Sequence, residues 1–201
     1  MGQEKEIKIQ RANDSPIIAG ADSRLIEGYA LKFDKPSELM YDWQRECTYT
    51  ENIARGAVTE DIIKKSDVIC YLDHNPNKML ARSRFGEGTL KLEIDEIGLK
   101  YSFEAPNTAA GDEALELIRR KDITGSSFYA NVKRENMSWT INGKKGVCTI
   151  NRFTQFFDVS PVQRPAYECT EAVVRAMAED IVKGPEPKPA YQKPKTRFHN
   201  F

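Results

Sequence analysis

The sequence predicts an α+β fold, mostly β: an antiparallel sheet or barrel with a few helices packed outside it. Three observations carry this. Short runs rich in β-formers recur along the chain, one segment (Thr108 to Lys121) reads clearly as a helix, and the runs do not alternate with helices as parallel βαβ units require. At 201 residues there is room for one sizeable domain with tails.

The elements follow in order. Residues 4–10 alternate polar and apolar, as a half-buried strand does, and residues 11–22 hold Asn, Asp, Ser, Pro and Gly and read as a loop. Arg24 to Phe33 reads as a strand with Gly28 as a bulge. Residues 34–44 read as irregular, and Glu46 to Ile53 as a strand. Thr59 can cap a short helix that carries Asp61 in its first turn and Lys64-Lys65 in its last. Val68 to Leu72 is a short apolar strand that delivers Asp73-His74 to its end. Leu80 to Phe85, Thr89 to Ile94 and Leu99 to Phe103 are further strands, with turns at Gly86-Glu-Gly88 and Glu96-Ile-Gly98.

The helix from Thr108 to Lys121 has acids early and bases late, and an apolar face of Ala114, Leu115, Leu117 and Ile118. Ile123 to Val132 returns to a strand. Asn142-Gly143 joins two β-rich runs as a hairpin. Phe153 to Val159 is a last strand, closed by Pro161 and Pro165, and Thr170 to Val182 reads as a helix. Beyond Lys183 come four prolines, so the domain plan is an N-terminal strand and loop (1–22), a folded domain (23–182) and a disordered tail (183–201).

Thirty basic residues balance thirty acidic ones, which argues against a bulk nucleic-acid binder. The tail from Lys183 holds four Lys, one Arg and one Glu, hence about +4 there and about −4 elsewhere. It reads as a solvated end or as a basic recruiting segment. Cys47, Cys70, Cys148 and Cys169 form no CxxC pair and no zinc spacing, as expected of reduced, buried thiols. Neither a signal peptide nor a membrane-spanning run is expected, and no cofactor is implied.

The chain has two histidines, His74 and His199, and the second lies in the tail. Imidazole chemistry in the folded part therefore falls to His74, in Tyr71-Leu-Asp-His-Asn75. Strand alternation points Asp73 away from the ring, and Cys70, Asp73 and His74 match no standard metal spacing. Ser126 and Ser127 follow Gly125, where backbone can approach a ligand closely. A serine nucleophile needs a base in reach and a third group to fix the imidazole. Asp158, set among Phe156, Phe157 and Val159, must face solvent or find a partner. Each residue also has a structural reading: a core histidine, two plain strand serines, an aspartate on an open sheet face.

Several segments, in order, resemble the prohead maturation serine proteases of tailed bacteriophages, the HK97-type family related in fold to the herpesvirus assembly proteases. They are Glu27-Gly-Tyr-Ala30 with Phe33, Arg55-Gly-Ala57, Tyr71 to Asn75, Leu80-Ala-Arg82, Asp95 to Leu99, Thr108 to Arg120 before Ile123-Thr-Gly-Ser-Ser127, and Phe157-Asp-Val-Ser-Pro-Val162 with Pro165-Ala166. They span roughly residues 25–175. The resemblance implies a herpesvirus-protease-like β-barrel ringed by helices. It implies His74 as base, Ser127 as nucleophile with Ser126 at the variable position before it, and Asp158, where the family commonly has Glu, as third member. Backbone near Arg164 would line the oxyanion hole. The implied substrates are scaffold, the capsid protein's N-terminal extension and the protease's own ends, cut inside the assembling procapsid in the host cytoplasm, with self-association and neither nucleic acid nor membrane as partner. Two other readings stand beside it: an inactive assembly or scaffold-like protein on the same fold, and an unrelated metal-dependent hydrolase using His74.

Overall fold

The computed structural model describes residues 6–14, 17–18 and 23–163. In chain order its strands are β1 (Glu6–Asp14), β2 (Ile17–Ile18), β3 (Leu25–Lys32), β4 (Met40–Asp42), β5 (Cys47–Ile53), β6 (Asp67–Tyr71), β7 (Met79–Arg84), β8 (Glu87–Gly88), β9 (Lys91–Ile94), β10 (Gly98–Glu104), β11 (Gly125–Lys133), β12 (Met137–Asn142), β13 (Lys145–Ile150) and β14 (Phe153–Val162). Its helices are α1 (Glu60–Lys65) and α2 (Ala109–Arg119). The fold is α+β and mostly β, as the sequence predicts.

The strands form three sheets. The largest runs β1-β11-β14-β6-β7-β8, the second β2-β3-β10-β9 and the third β12-β13-β5-β4. Two pairings are parallel, β14 with β6 and β13 with β5, and the rest are antiparallel. No closed barrel is found among the described residues.

The core follows from the period of two along β11, which β14 matches across two register shifts. Ser126, Phe128, Ala130 and Val132 share one face of β11, and each is at most 1% exposed. Phe153 and Phe156 of β14 meet Phe128 there, with ring centroids 4.9–5.9 Å apart. Such a cluster is worth several kcal/mol, since truncating one buried Phe costs about 3–5 kcal/mol. The second sheet covers this inner face through β3 and β10. Tyr101 of β10 is fully buried and shares a 2.8 Å hydrogen bond with Ser126. Burial pushes its phenol well above the ordinary range, so it stays neutral.

The helices start where the sequence puts their caps. The Thr59 hydroxyl accepts from Ile62 N–H and that of Thr108 from Gly111 N–H. Ile62 and Ile63 of α1, and Ala114, Leu115 and Ile118 of α2, turn inward. The third sheet is tied to the main one by a two-pronged ion pair, with Arg11 Nε and Nη2 each 2.7 Å from a carboxylate oxygen of buried Glu51.

Four expectations need correction. Gly28 makes no bulge: it is the direct partner of Tyr101, and the register slips between Leu99 and Lys100. Its bareness serves close approach instead, because a Cβ there would stand 2.9 Å from Tyr101 Oη and 3.0 Å from Ser126 Oγ. The expected loop over 11–22 is in part strand. β1 runs on to Asp14 along β11, and Ile17–Ile18 pair with β3, so ladder hydrogen bonds override the polar composition. Residues 34–44 hold the short β4, paired to β5. The last strand does not stop at Val159; it continues through Pro161 to Val162, with Pro161 opposite Ser126. Arg164, the helix expected over 170–182 and the tail from 183 lie outside the described residues.

Candidate active site

Three neighbouring strands bring the site together. β11 carries Ser127, β14 carries Asp158, and β6 leads into His74. In the β11–β14 ladder Ser127 stands opposite Ser160, and Tyr129 opposite Asp158. Directly opposed residues project to the same side, so Ser127, Ser160 and Asp158 share the outer face of this sheet. Ser126, one peptide bond away, projects to the inner face and is engaged by Tyr101. The alternation of a strand thus separates two serines that composition cannot tell apart.

His74 reaches that face by a reversal of the chain. Asp158 pairs with Ile69 across the parallel β14–β6 junction. At about 3.3 Å per residue, an extended chain would carry position 74 roughly 16 Å beyond Ile69. Instead Asp73 and His74 both take positive φ, 55° and 56°, and turn the side chain back. Aspartate and histidine are among the residues that tolerate this region best, yet each such residue still costs on the order of 1–3 kcal/mol. The turn is held from both sides. Leu72 N–H donates to Lys78 O (2.9 Å), Asn75 N–H to Leu72 O (3.0 Å) and Lys78 N–H to Asn75 O (2.9 Å). On the β14 side, Asp73 N–H donates to Pro161 O (3.0 Å), and the Asp73 carboxylate accepts from Gln163 N–H (3.2 Å). Asp73 therefore fixes the loop rather than the ring.

The ring itself is fixed by Asp158. His74 Nδ1 lies 3.0 Å from Asp158 Oδ2. A carboxylate accepts and does not donate, so the ring proton sits on Nδ1 and Nε2 of the neutral imidazole carries a lone pair. The other oxygen, Oδ1, accepts from the Ser160 hydroxyl. Ser160 Oγ in turn accepts from Tyr71 N–H at 3.0 Å.

Four buried side-chain polar atoms have no hydrogen-bond partner among the described residues: Asn52 Oδ1, Asn131 Oδ1, His74 Nε2 and Ser127 Oγ. Buried polar atoms are ordinarily paired, so each exception asks for an explanation. Two of these four, His74 Nε2 and Ser127 Oγ, belong to the residues that the resemblance implies as base and nucleophile. Near the site, burial and then the Asp158 carboxylate push the Cys70 thiol well up, so it is a poor nucleophile. Cys47, Cys70 and Cys148 are free and buried, and no group of three His, Cys, Asp or Glu stands together as a metal site among the described residues.

Compared with known families, residues 8–183 match the caudovirus prohead serine proteases. The chain belongs to that family. No curated protein and no solved structure matches it. Prohead-protease membership implies a serine protease, and it agrees with the resemblance drawn from the ordered segments. Of the positions that resemblance points to, His74, Ser127 and Asp158 gather on one sheet face, while Arg164 lies outside the described residues.

Sequence reasoning missed three supports of this site: Ser160, the Asp73 clamp and the Tyr101–Ser126 pair. Ser160 was legible in principle, since Asp158-Val-Ser160 places two polar side chains on one strand face. The other two depend on contacts between segments distant in sequence.

Proposed function

We propose that this chain is a serine endopeptidase of phage procapsid maturation, with Ser127 as nucleophile, His74 as general base and Asp158 as the group that orients and stabilises the imidazole. The observation that carries the reading is the 3.0 Å His74–Asp158 bond on the face that Ser127 shares, with the Nε2 lone pair and the Ser127 hydroxyl both unengaged among the described residues. Ser127 Oγ attacks the scissile carbonyl carbon and gives its proton to Nε2. The imidazolium that forms is paired with Asp158. Collapse of the tetrahedral intermediate breaks the C–N bond, and Nε2 returns the proton to the leaving amine. Water, deprotonated by the same Nε2, then attacks the acyl-Ser127 ester, and the freed Ser127 alkoxide takes the proton back. General-base help of this kind is worth about 10²–10⁴ in rate. Backbone near Arg164 as oxyanion donor belongs to the same proposal and rests on the family resemblance.

The substrates proposed are scaffold, the capsid protein's N-terminal extension and the ends of the protease itself, cut within the procapsid in the host cytoplasm by self-associating copies. Family membership supports this class of substrate. No helix among the described residues is long and apolar enough to cross a membrane. The family's barrel is also part of the reading: β3 lies beside β1 and β11, where such a barrel would close.

Co-expression with the capsid protein tests the function. Intact masses should show trimmed capsid protein with the wild-type chain and full-length capsid protein with Ser127→Ala. Trimming that survives Ser127→Ala and stops with Ser126→Ala would move the nucleophile by one residue. Full-length capsid protein in every case would favour an inactive assembly role.

A further inference from the structure

We propose that Ser160 is a fourth, positioning member of the site, holding the Asp158 carboxylate in the one rotamer that orients His74; this rests on the proposed triad. Three observations converge on it. Ser160 is fully buried, and its hydroxyl donates to Asp158 Oδ1. Its oxygen accepts from Tyr71 N–H at 3.0 Å, which leaves its own proton free for the carboxylate. Across the ladder it stands directly opposite Ser127.

The consequence is geometric. A carboxylate has two equivalent oxygens, and Asp158 alone could rotate either toward the ring. With Oδ1 engaged by Ser160, Oδ2 is the oxygen left for Nδ1. Tyr71 is three residues before His74, so the Tyr71 N–H bond locks the acid to the strand that delivers the base. One hydroxyl thereby sets the spacing between β14 and β6 at the site and the direction of the carboxylate. Aspartate is a short side chain with little reach to spare, and a donor that fixes its rotamer matters more than it would for a longer acid. The hydroxyl also offsets the cost of holding the carboxylate in a buried setting, where unpaired acceptors are costly.

The test uses the full chain with Ser160→Ala and Ser160→Thr, the second of which retains the hydroxyl. A fluorophosphonate probe reports how readily Ser127 is activated. Labelling by Ser160→Ala should fall by about 10- to 100-fold, the scale that a misplaced catalytic geometry costs. Ser160→Thr should recover most of it. In parallel, the low-field proton resonance of His74 Nδ1–H, followed in a Ser127→Ala background, should shift or broaden away in Ser160→Ala while far-UV circular dichroism is unchanged. Wild-type labelling by a folded Ser160→Ala, with the His74 resonance unmoved, would overturn the positioning role. If the wild-type chain does not label at all, the protease reading fails separately, and the His74 resonance still decides whether Ser160 holds the Asp158–His74 pair.

Discussion

The two faces of β11 carry opposite tasks within one strand. On the inner face Ser126, Phe128, Ala130 and Val132 are sealed against Tyr101, Phe153 and Phe156. On the outer face Ser127 and Tyr129 look across to Ser160 and Asp158, beside which His74 is folded back. Inside, the polar groups Ser126 and Tyr101 satisfy one another. Outside, Ser127 Oγ, His74 Nε2 and Asn131 Oδ1 are buried without a hydrogen-bond partner among the described residues, and two residues of the histidine turn sit at positive φ. On the proposed triad, stability and chemistry are thus divided by a period of two. A rigid inner face is what allows an outer face to hold strained and unpartnered groups.

This division is open to direct attack. The largest effect is expected outside: Ser127→Ala should abolish turnover, a loss of about 10⁶-fold of the kind seen when a triad nucleophile is removed, with the melting temperature nearly unchanged. Asp158→Asn should follow, with about 10⁴ lost in kcat because the histidine is held in the wrong tautomer. Peptide hydrolysis assays measure both. Inside, the ordering reverses. Phe156→Ala should cost about 3–5 kcal/mol in denaturant unfolding and lower activity only through the folded fraction. Gly28→Ala should cost about 1–3 kcal/mol, because its Cβ meets Tyr101 Oη at 2.9 Å in a packed layer. The smallest signal is inertness: Cys70, whose thiol burial pushes well up, should stay unalkylated by iodoacetamide at pH 8 until the chain unfolds, as peptide mass mapping reads. A stability mutant of the inner face that lost activity while fully folded would break the division.

Much of this was legible in the sequence, and the reasons are local. Thr59 and Thr108 announced the helix starts because a capping hydroxyl acts within three residues. Asn142-Gly143 announced a hairpin because few residues take positive φ, and Gly143 has φ 61°. His74 stood out by scarcity, and the ordered segments gave the family. What stayed hidden is set across the fold. Nothing local says that Asp14 is still in a ladder, because its partner Gly125 lies far along the chain. Nothing local says that Gly28 is bare for the sake of Tyr101 and Ser126. The family resemblance pointed to Ser127 rather than Ser126, but the face each one occupies is set by the register of β11 against β14.

That choice is the centre of the account, and one measurement addresses it. The full chain is treated with a fluorophosphonate, digested, and the adduct located by tandem mass spectrometry. The adduct should fall on Ser127 and vanish in His74→Ala. An adduct on Ser126, or labelling of Ser127 that is indifferent to His74, would contradict it.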